Sequence, residues 1–343
     1  MTAPVLEMSR SVFRANIAAC AERIAPSALM LVMKDDAYGH GLDWTVEAAD
    51  GVAWFGGYDV GTALRIRALR GTARVFAWAT SEDDEIETAL LAGIDLGIGT
   101  APYLRRVIAQ AGRLQRRARV HLKIDTGLHR NGVRPEDWEA FVAEARAAEH
   151  RGLLEVVGVW SHLAEASDAE DDEAAAEFRS AGDAVRAAGS SPEVEHLTAS
   201  AASWWRPELR GSLCRIGAFC YGIRSAGGPD IPGTAPVAGL RASVRAVDGD
   251  EVTIGIGGFD GLPSTIAGAE VGTPAGARPL RSIGATTSVV GSWPDARVGD
   301  DVWLFGAGGQ GEQDATALAE RIGTVGEEIV TRLSPRVRRV VGE

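Results

Sequence analysis

The chain has 343 residues, 45% of them hydrophobic and 24% charged, with a formal net charge of -12. That length holds a large domain plus a smaller companion, and the acidic balance argues against nucleic acid or an anionic membrane surface as main partner, since both call for a basic face. Three cysteines, Cys20, Cys214 and Cys220, show no close pairing pattern, which speaks against a disulfide framework or a zinc site and suits a reducing, cytoplasmic setting.

At the N-terminus, "MTAPVLEMSRSVFRANIAACAERI" lacks the basic segment, apolar core and cleavage site of a secretory leader. Its second half reads as an amphipathic helix, with Val12, Ile17, Ala18 and Ile24 among the buried-face candidates. Nowhere does the chain reach the roughly 18 uninterrupted apolar residues that a membrane span needs. From about Ala28, short β-rich runs alternate with helical patterns: "LMLVMK", "VAWFGGY", "ARVFAWA", "IDLGIG", "ARVHLKID", "LEVVGVWSH", "VEHLTAS" and "LCRIGAFCYG". This α/β rhythm favours a (β/α)8 TIM barrel over an open doubly wound sheet. After Gly228 the pattern changes to short strands and glycine-rich turns, "GLRASVRAV", "EVTIGIGGFDG", "PLRSIGATTSVV" and "GDDVWLFG". They predict a C-terminal β domain, closed by a helix at "ATALAERIGTVGEEIVTRL". Glycine and proline in "SAGGPDIPGTAP" mark the boundary, giving a barrel over 1–230 and a β domain over 231–343.

Barrel chemistry sits at the C-terminal ends of the strands. Polar residues ending or interrupting the runs are Lys34, Tyr38, Lys123, Asp125, His162, Ser200 and Arg215. A lysine that ends a doubly buried strand lies at the inner mouth, where a lowered pKa allows a Schiff base with a carbonyl. Pyridoxal phosphate is the carbonyl cofactor that also needs a phosphate site, a partner for its ring nitrogen and groups packed against the ring. Ser200 and the Gly217 amide, after the seventh and eighth strands, suit the phosphate, as does the Tyr38 hydroxyl. Arg215 can face the ring nitrogen and His162 can pack beside the ring. A guanidinium does not deprotonate in practice, so such a ring nitrogen stays unprotonated. The ring is then a weak electron sink, which favours simple removal and return of an α-proton.

"VMKDDAYGHG", "VHLKIDTGLHRNGV", "HLTASAA", "RIGAFCYGI" and "ALAERIGTVGEEIVTRLSPRVRRV" resemble, in order, the landmark segments of the alanine racemases. The resemblance implies a pyridoxal 5'-phosphate enzyme that works as a head-to-tail homodimer on an amino-acid substrate. It gives Lys34 as the Schiff-base lysine and places Tyr38, Ser200, Gly217 and Ala218 at the phosphate, with Tyr221 in the same segment. Arg215 falls at the pyridine nitrogen, and Arg130 near the ring hydroxyl and substrate carboxylate. Lys123 stands where some members carry a carbamylated lysine.

The family's second acid–base group is a tyrosine on a loop of the C-terminal domain, contributed across the dimer. Here "RASVRAV" runs through "DGDE" into "VTIGIGGFDGLPS", and none of the four tyrosines lies beyond Tyr221. Gly258, Ile283, Gly284 and Glu327 also replace family residues. These changes predict a divergent member lacking the tyrosine loop. The leading expectation is an amino-acid racemase or epimerase that takes the α-proton of a substrate aldimine, with Asp260 or His129 as a substitute base. The alternatives are an aldol-type lyase acting on a bulkier amino acid and a non-catalytic, cofactor-binding relative.

Overall fold

All eight runs between Ala28 and Ile216 are strands in the computed structural model, which describes residues 3–343. The chain divides into two compact units. One comprises Cys20–Lys34 and Leu42–Gly217; the other comprises the segment up to Ala19, Asp35–Gly41 and the chain from Ala218 onward.

In the chain's order the strands are β1 (Val5–Ser9), then β2 (Ala28–Val32), β3 (Trp54–Tyr58), β4 (Arg74–Ala77) and β5 (Asp95–Ile98). Next come β6 (Ala118–Lys123), β7 (Leu154–Trp160), β8 (Val194–His196) and β9 (Leu213–Ile216). Strands β2 to β9 form one parallel sheet in which β9 returns to lie beside β2, and the Arg215 amide donates across the β8–β9 seam to the Thr198 carbonyl at 3.2 Å. The ring is thus a (β/α)8 barrel, as the alternating runs predict. With helices outside and packed side chains inside, its strands are buried on both faces, which explains apolar runs such as "ALMLV". Met30, Trp54, Phe76, Trp160 and Leu213, from five different strands, fill the interior.

The second unit contains β1 and a further set: β10 (Ala238–Asp248), β11 (Glu251–Ile254), β12 (Glu270–Thr273), β13 (Gly276–Ile283), β14 (Ser288–Gly291), β15 (Asp301–Phe305) and β16 (Arg338–Gly342). Long β10 is the hub. It pairs antiparallel with β11 and β15, closing the ring β10-β11-β14-β13-β12-β15, and its first residues also pair with β1, which carries β16 in parallel on its other side. The expected closing helix is instead two short ones, Ala315–Glu320 and Gly326–Thr331, broken where Gly323 takes φ +69°. The N-terminal helix spans Arg10–Ile24 and buries Phe13, Ile17, Cys20 and Ile24 at helical spacing, while Ala18 faces solvent. No described helix is long and apolar enough to cross a membrane.

Candidate active site

Lys34 stands two residues beyond β2, half-buried. Directly after it, Asp35, Asp36, Ala37 and Tyr38 all adopt left-handed backbone, with φ of 55°, 54°, 56° and 54°. No glycine eases this turn, and each L-residue there costs roughly 1–2 kcal/mol. The Gly39 amide donates to the Asp35 carbonyl and the Gly41 amide to the Asp36 carbonyl, both at 2.9 Å. The Tyr38 ring is buried 5.0 Å from Tyr221, which also meets Phe13 and His40. Burial, with the Glu327 and Asp35 carboxylates nearby, pushes the Tyr38 phenol far up, so it remains a donor. Ala218 and Tyr221 share a buried 3-10 turn in the same unit.

In the barrel unit, Arg215 on β9 is buried without a carboxylate partner among the described residues. Its Nη1 donates to the His196 carbonyl at 2.6 Å and to His196 Nδ1 at 3.0 Å. Its Nη2 donates to the Ser161 and Leu197 carbonyls, both at 2.8 Å, and to His162 Nδ1 at 3.1 Å. Burial draws the guanidinium down to about 9, with Arg130 adding to the effect, so it is still charged at neutral pH. Burial, then the charges of Arg215, Arg130, Lys123 and Lys34, keep His162 neutral. That shared influence gathers four cations from three barrel strands and their loops around one imidazole.

Lys123 ends β6, 3% exposed, its ammonium 4.6 Å from the centroid of the Trp160 ring. Burial, then Arg215 and Arg130, bring it down to about 8. In the next loop, Asp125 accepts from the Gly127 and His129 amides and pairs with His129 Nδ1 at 3.0 Å. This tethered loop carries Arg130, which is exposed and has no hydrogen bond or ion pair among the described residues. After β8, the Ser200 hydroxyl accepts from the Gly217 amide at 3.1 Å, joining the two groups nominated for phosphate in this unit. Sequence reading missed Asp95, His121 and His196. Strand parity was the available signal, because His121 and Lys123 are two apart on β6 and so share a face.

Of the two substitutes for the missing tyrosine, Asp260 is committed elsewhere in its own unit. It accepts from the Gly257 amide at 2.9 Å and from Arg336 Nε at 2.8 Å. The loop itself is absent: Asp248 pairs with Glu251, leaving Gly249, at φ +60°, and Asp250 as the whole β10–β11 connection.

The sequence patterns of the alanine racemase N-terminal and C-terminal domains match residues 8–225 and 248–341. An alanine racemase of Thermobifida fusca is 38% identical, the match covering 95% of this chain and 94% of that protein. One from Beutenbergia cavernae is 35% identical over 95% and 94%. The crystal structure of alanine racemase from D-cycloserine-producing Streptomyces lavendulae superposes with a TM-score of 0.94 at 32% identity, covering 100% of this chain and 98% of that one. These similarities correct the expectation of a divergent member, since neither sequence nor fold departs broadly and the shortened β10–β11 connection is a local change. The chain belongs to the alanine racemase family, whose members are pyridoxal-phosphate-dependent amino-acid isomerases.

Proposed function

We propose that this chain interconverts the enantiomers of alanine or a close small amino acid, in the cytoplasm, as a head-to-tail homodimer. The observation that carries this reading is Arg215. Both its terminal nitrogens are saturated by carbonyls and imidazoles, and its Nε–H has no acceptor among the described residues, which suits a ring nitrogen that accepts one hydrogen bond. We keep residues 1–230 as the cofactor-binding part and 231–343 as the β domain, since every residue assigned to the cofactor precedes 231, although the compact units divide the chain at other points.

Bound pyridoxal phosphate supplies an aldehyde for an amine and an electron-poor ring that acidifies the neighbouring α C–H. Lys34 would hold the cofactor through that aldehyde and, as a free amine, would move a proton at one face of the α-carbon. Arg215 would keep its own proton, so a ring nitrogen bound to it would stay uncharged. Neutral His162 would pack beside the ring. Tyr38, Ser200, Gly217 and Ala218 would hold the phosphate, with Tyr221 backing the Tyr38 ring. Arg130 receives the substrate carboxylate, whose planar two-oxygen geometry matches a guanidinium.

Racemisation through two groups needs one on each face of the α-carbon. Lys34 follows the first barrel strand and His129 follows the fifth, and these are half a ring apart in strand order. With Nδ1 tied to Asp125, His129 keeps Nε2 for proton exchange, and we assign it the second role.

Single enantiomers of alanine incubated with the holoenzyme in deuterated water test the reading. Label uptake with inversion is expected, and His129→Gln should leave uptake with retention. Release of an aldehyde from a β-hydroxy amino acid without inversion of alanine would favour the lyase. Absence of exchange from every amino acid tried would favour a cofactor-binding protein without turnover.

A further inference from the structure

The barrel interior holds titratable groups that none of these roles uses. Asp95 opens β5, His121 lies within β6 and His196 ends β8, and all three are buried. Asp95 Oδ2 lies 3.4 Å from His121 Nε2, His121 Nδ1 lies 2.8 Å from His196 Nε2, and His196 Nδ1 lies 3.0 Å from Arg215 Nη1.

Valence fixes the protons along this line. Asp95, bound also by Arg74 Nη2 at 2.8 Å and Arg119 Nε at 3.0 Å, is an ionised carboxylate and can only accept. His121 must therefore carry its hydrogen on Nε2. Burial keeps the ring neutral, so His121 Nδ1 accepts. His196 then donates from Nε2, and its bare Nδ1 accepts from Arg215. Reversing either ring sets N–H against N–H at one junction.

The packing is made for these contacts. A Cβ on Gly158 would lie 2.2 Å from His121 Nδ1, so only glycine leaves room there for the imidazole pair. The Trp160 ring stacks on His196 at 5.7 Å and 13°, fixing its plane. Purely apolar filling would require neither the glycine nor heteroatoms facing at 2.8 Å.

We propose that Asp95, His121 and His196 are positioning residues, a one-directional hydrogen-bond chain that links the buried charge of Arg215 to a carboxylate on the far side of the barrel and fixes the guanidinium's orientation. The link to catalysis rests on the reading that Arg215 meets the ring nitrogen. Disrupting the chain loosens Arg215, weakening the cofactor's hold and altering the electronic character of its ring.

Nitrogen NMR of isotope-labelled histidine in the cofactor-free protein tests the chain directly. The expected result is that His121 and His196 are both neutral and protonated on Nε2 across the neutral pH range; a proton on either Nδ1 overturns the proposal. In the holoenzyme, His196→Phe keeps a ring against Trp160 but removes both hydrogen bonds. It should raise the cofactor's dissociation constant roughly tenfold and shift its visible absorption and that band's pH profile. His196→Gln can accept from Arg215 through its oxygen and donate to His121 through its nitrogen, so it should restore most of both. Equal behaviour of the Phe and Gln variants, or a Phe variant with wild-type spectra, overturns the proposal; if the Phe variant does not fold, the wild-type tautomers still decide. If the wild-type protein forms no cofactor adduct at Lys34, the functional reading fails while the tautomers independently judge the chain.

Discussion

The floor and the mouth of the barrel treat their cations in opposite ways. At the floor, Arg74 pairs with Asp95 and Glu193, while Arg119 pairs with Asp95, Glu155 and Glu193. At the mouth, Lys123 and Arg215 are buried and Arg130 is exposed, and none of the three pairs with a carboxylate among the described residues. Paired charge at the floor serves stability. Unpaired charge at the mouth weakens the fold unless an anion arrives, and a phosphate-bearing cofactor and an amino-acid carboxylate supply such charge.

The sharpest separation of the two regions comes from Lys34→Ala. Exchange of the α-proton should fall by roughly a thousandfold or more, and the covalent cofactor adduct seen by mass spectrometry should vanish, with urea stability nearly unchanged. A variant that unfolds instead would break the division of labour.

At the floor the expectation reverses. Asp95→Ala removes the shared partner of Arg74, Arg119 and His121 and should cost about 3–5 kcal/mol in urea denaturation. Burial alone would raise the Asp95 carboxyl, but the bonds from His121 and Arg74 outweigh it and hold it at about 2, below the ordinary 3.8. Its contribution is therefore complete above the unfolded value and is lost as pH falls through the folded one. About 2 kcal/mol of stability should disappear between pH 4 and pH 2 in the wild type and be missing from the variant.

Lys123→Met probes the mouth from the other side. The folded amine sits at about 8 against an ordinary 10.5, so at pH 7 the folded chain carries a penalised ammonium. Between those values the unfolded chain binds more protons than the folded one, and stability rises with pH. Methionine should stabilise the cofactor-free protein by about 1–3 kcal/mol near neutrality, with the gain shrinking as pH climbs past 8. If labelled bicarbonate gives a carbamate signal at Lys123 by NMR, the negative group would sit among the neighbouring cations and the advantage of methionine should invert.

The barrel was legible because its strands are buried on both faces and announce themselves as apolar runs. The residues proposed for the cofactor stood out because Lys34, Tyr38 and Arg130 lie in segments of specific composition. The short β1 strand was not legible: Val5–Ser9 is stabilised by β10 and β16, hundreds of residues away, and local pattern cannot report such partners. Nor was the chain from Asp95 to Arg215 visible, because each histidine sits in an unremarkable run and the link appears only when four strands close into one ring. For the same reason, Asp260 read as a spare acid until its bond to Arg336 was seen.

The smallest expected effect concerns the turn after Lys34, where strain is held in the backbone rather than in charge. Asp35 is exposed, and its side chain makes no hydrogen bond among the described residues, yet it holds φ +55°, a geometry that glycine adopts freely. Asp35→Gly relieves roughly 1–2 kcal/mol of local strain and adds roughly 0.5–1 kcal/mol of unfolded-state entropy, so the net gain should be about 0.5–1 kcal/mol in thermal unfolding. Asp35→Val meets the opposite situation, since a β-branched residue tolerates the left-handed region worst, and should lose at least about 1 kcal/mol. If both variants unfold with the wild type, the turn relaxes in solution and its strain is not stored. If the pair splits as expected, the residues after Lys34 are held in one rigid shape at a cost the rest of the fold sustains, in the way that functional backbone is held elsewhere.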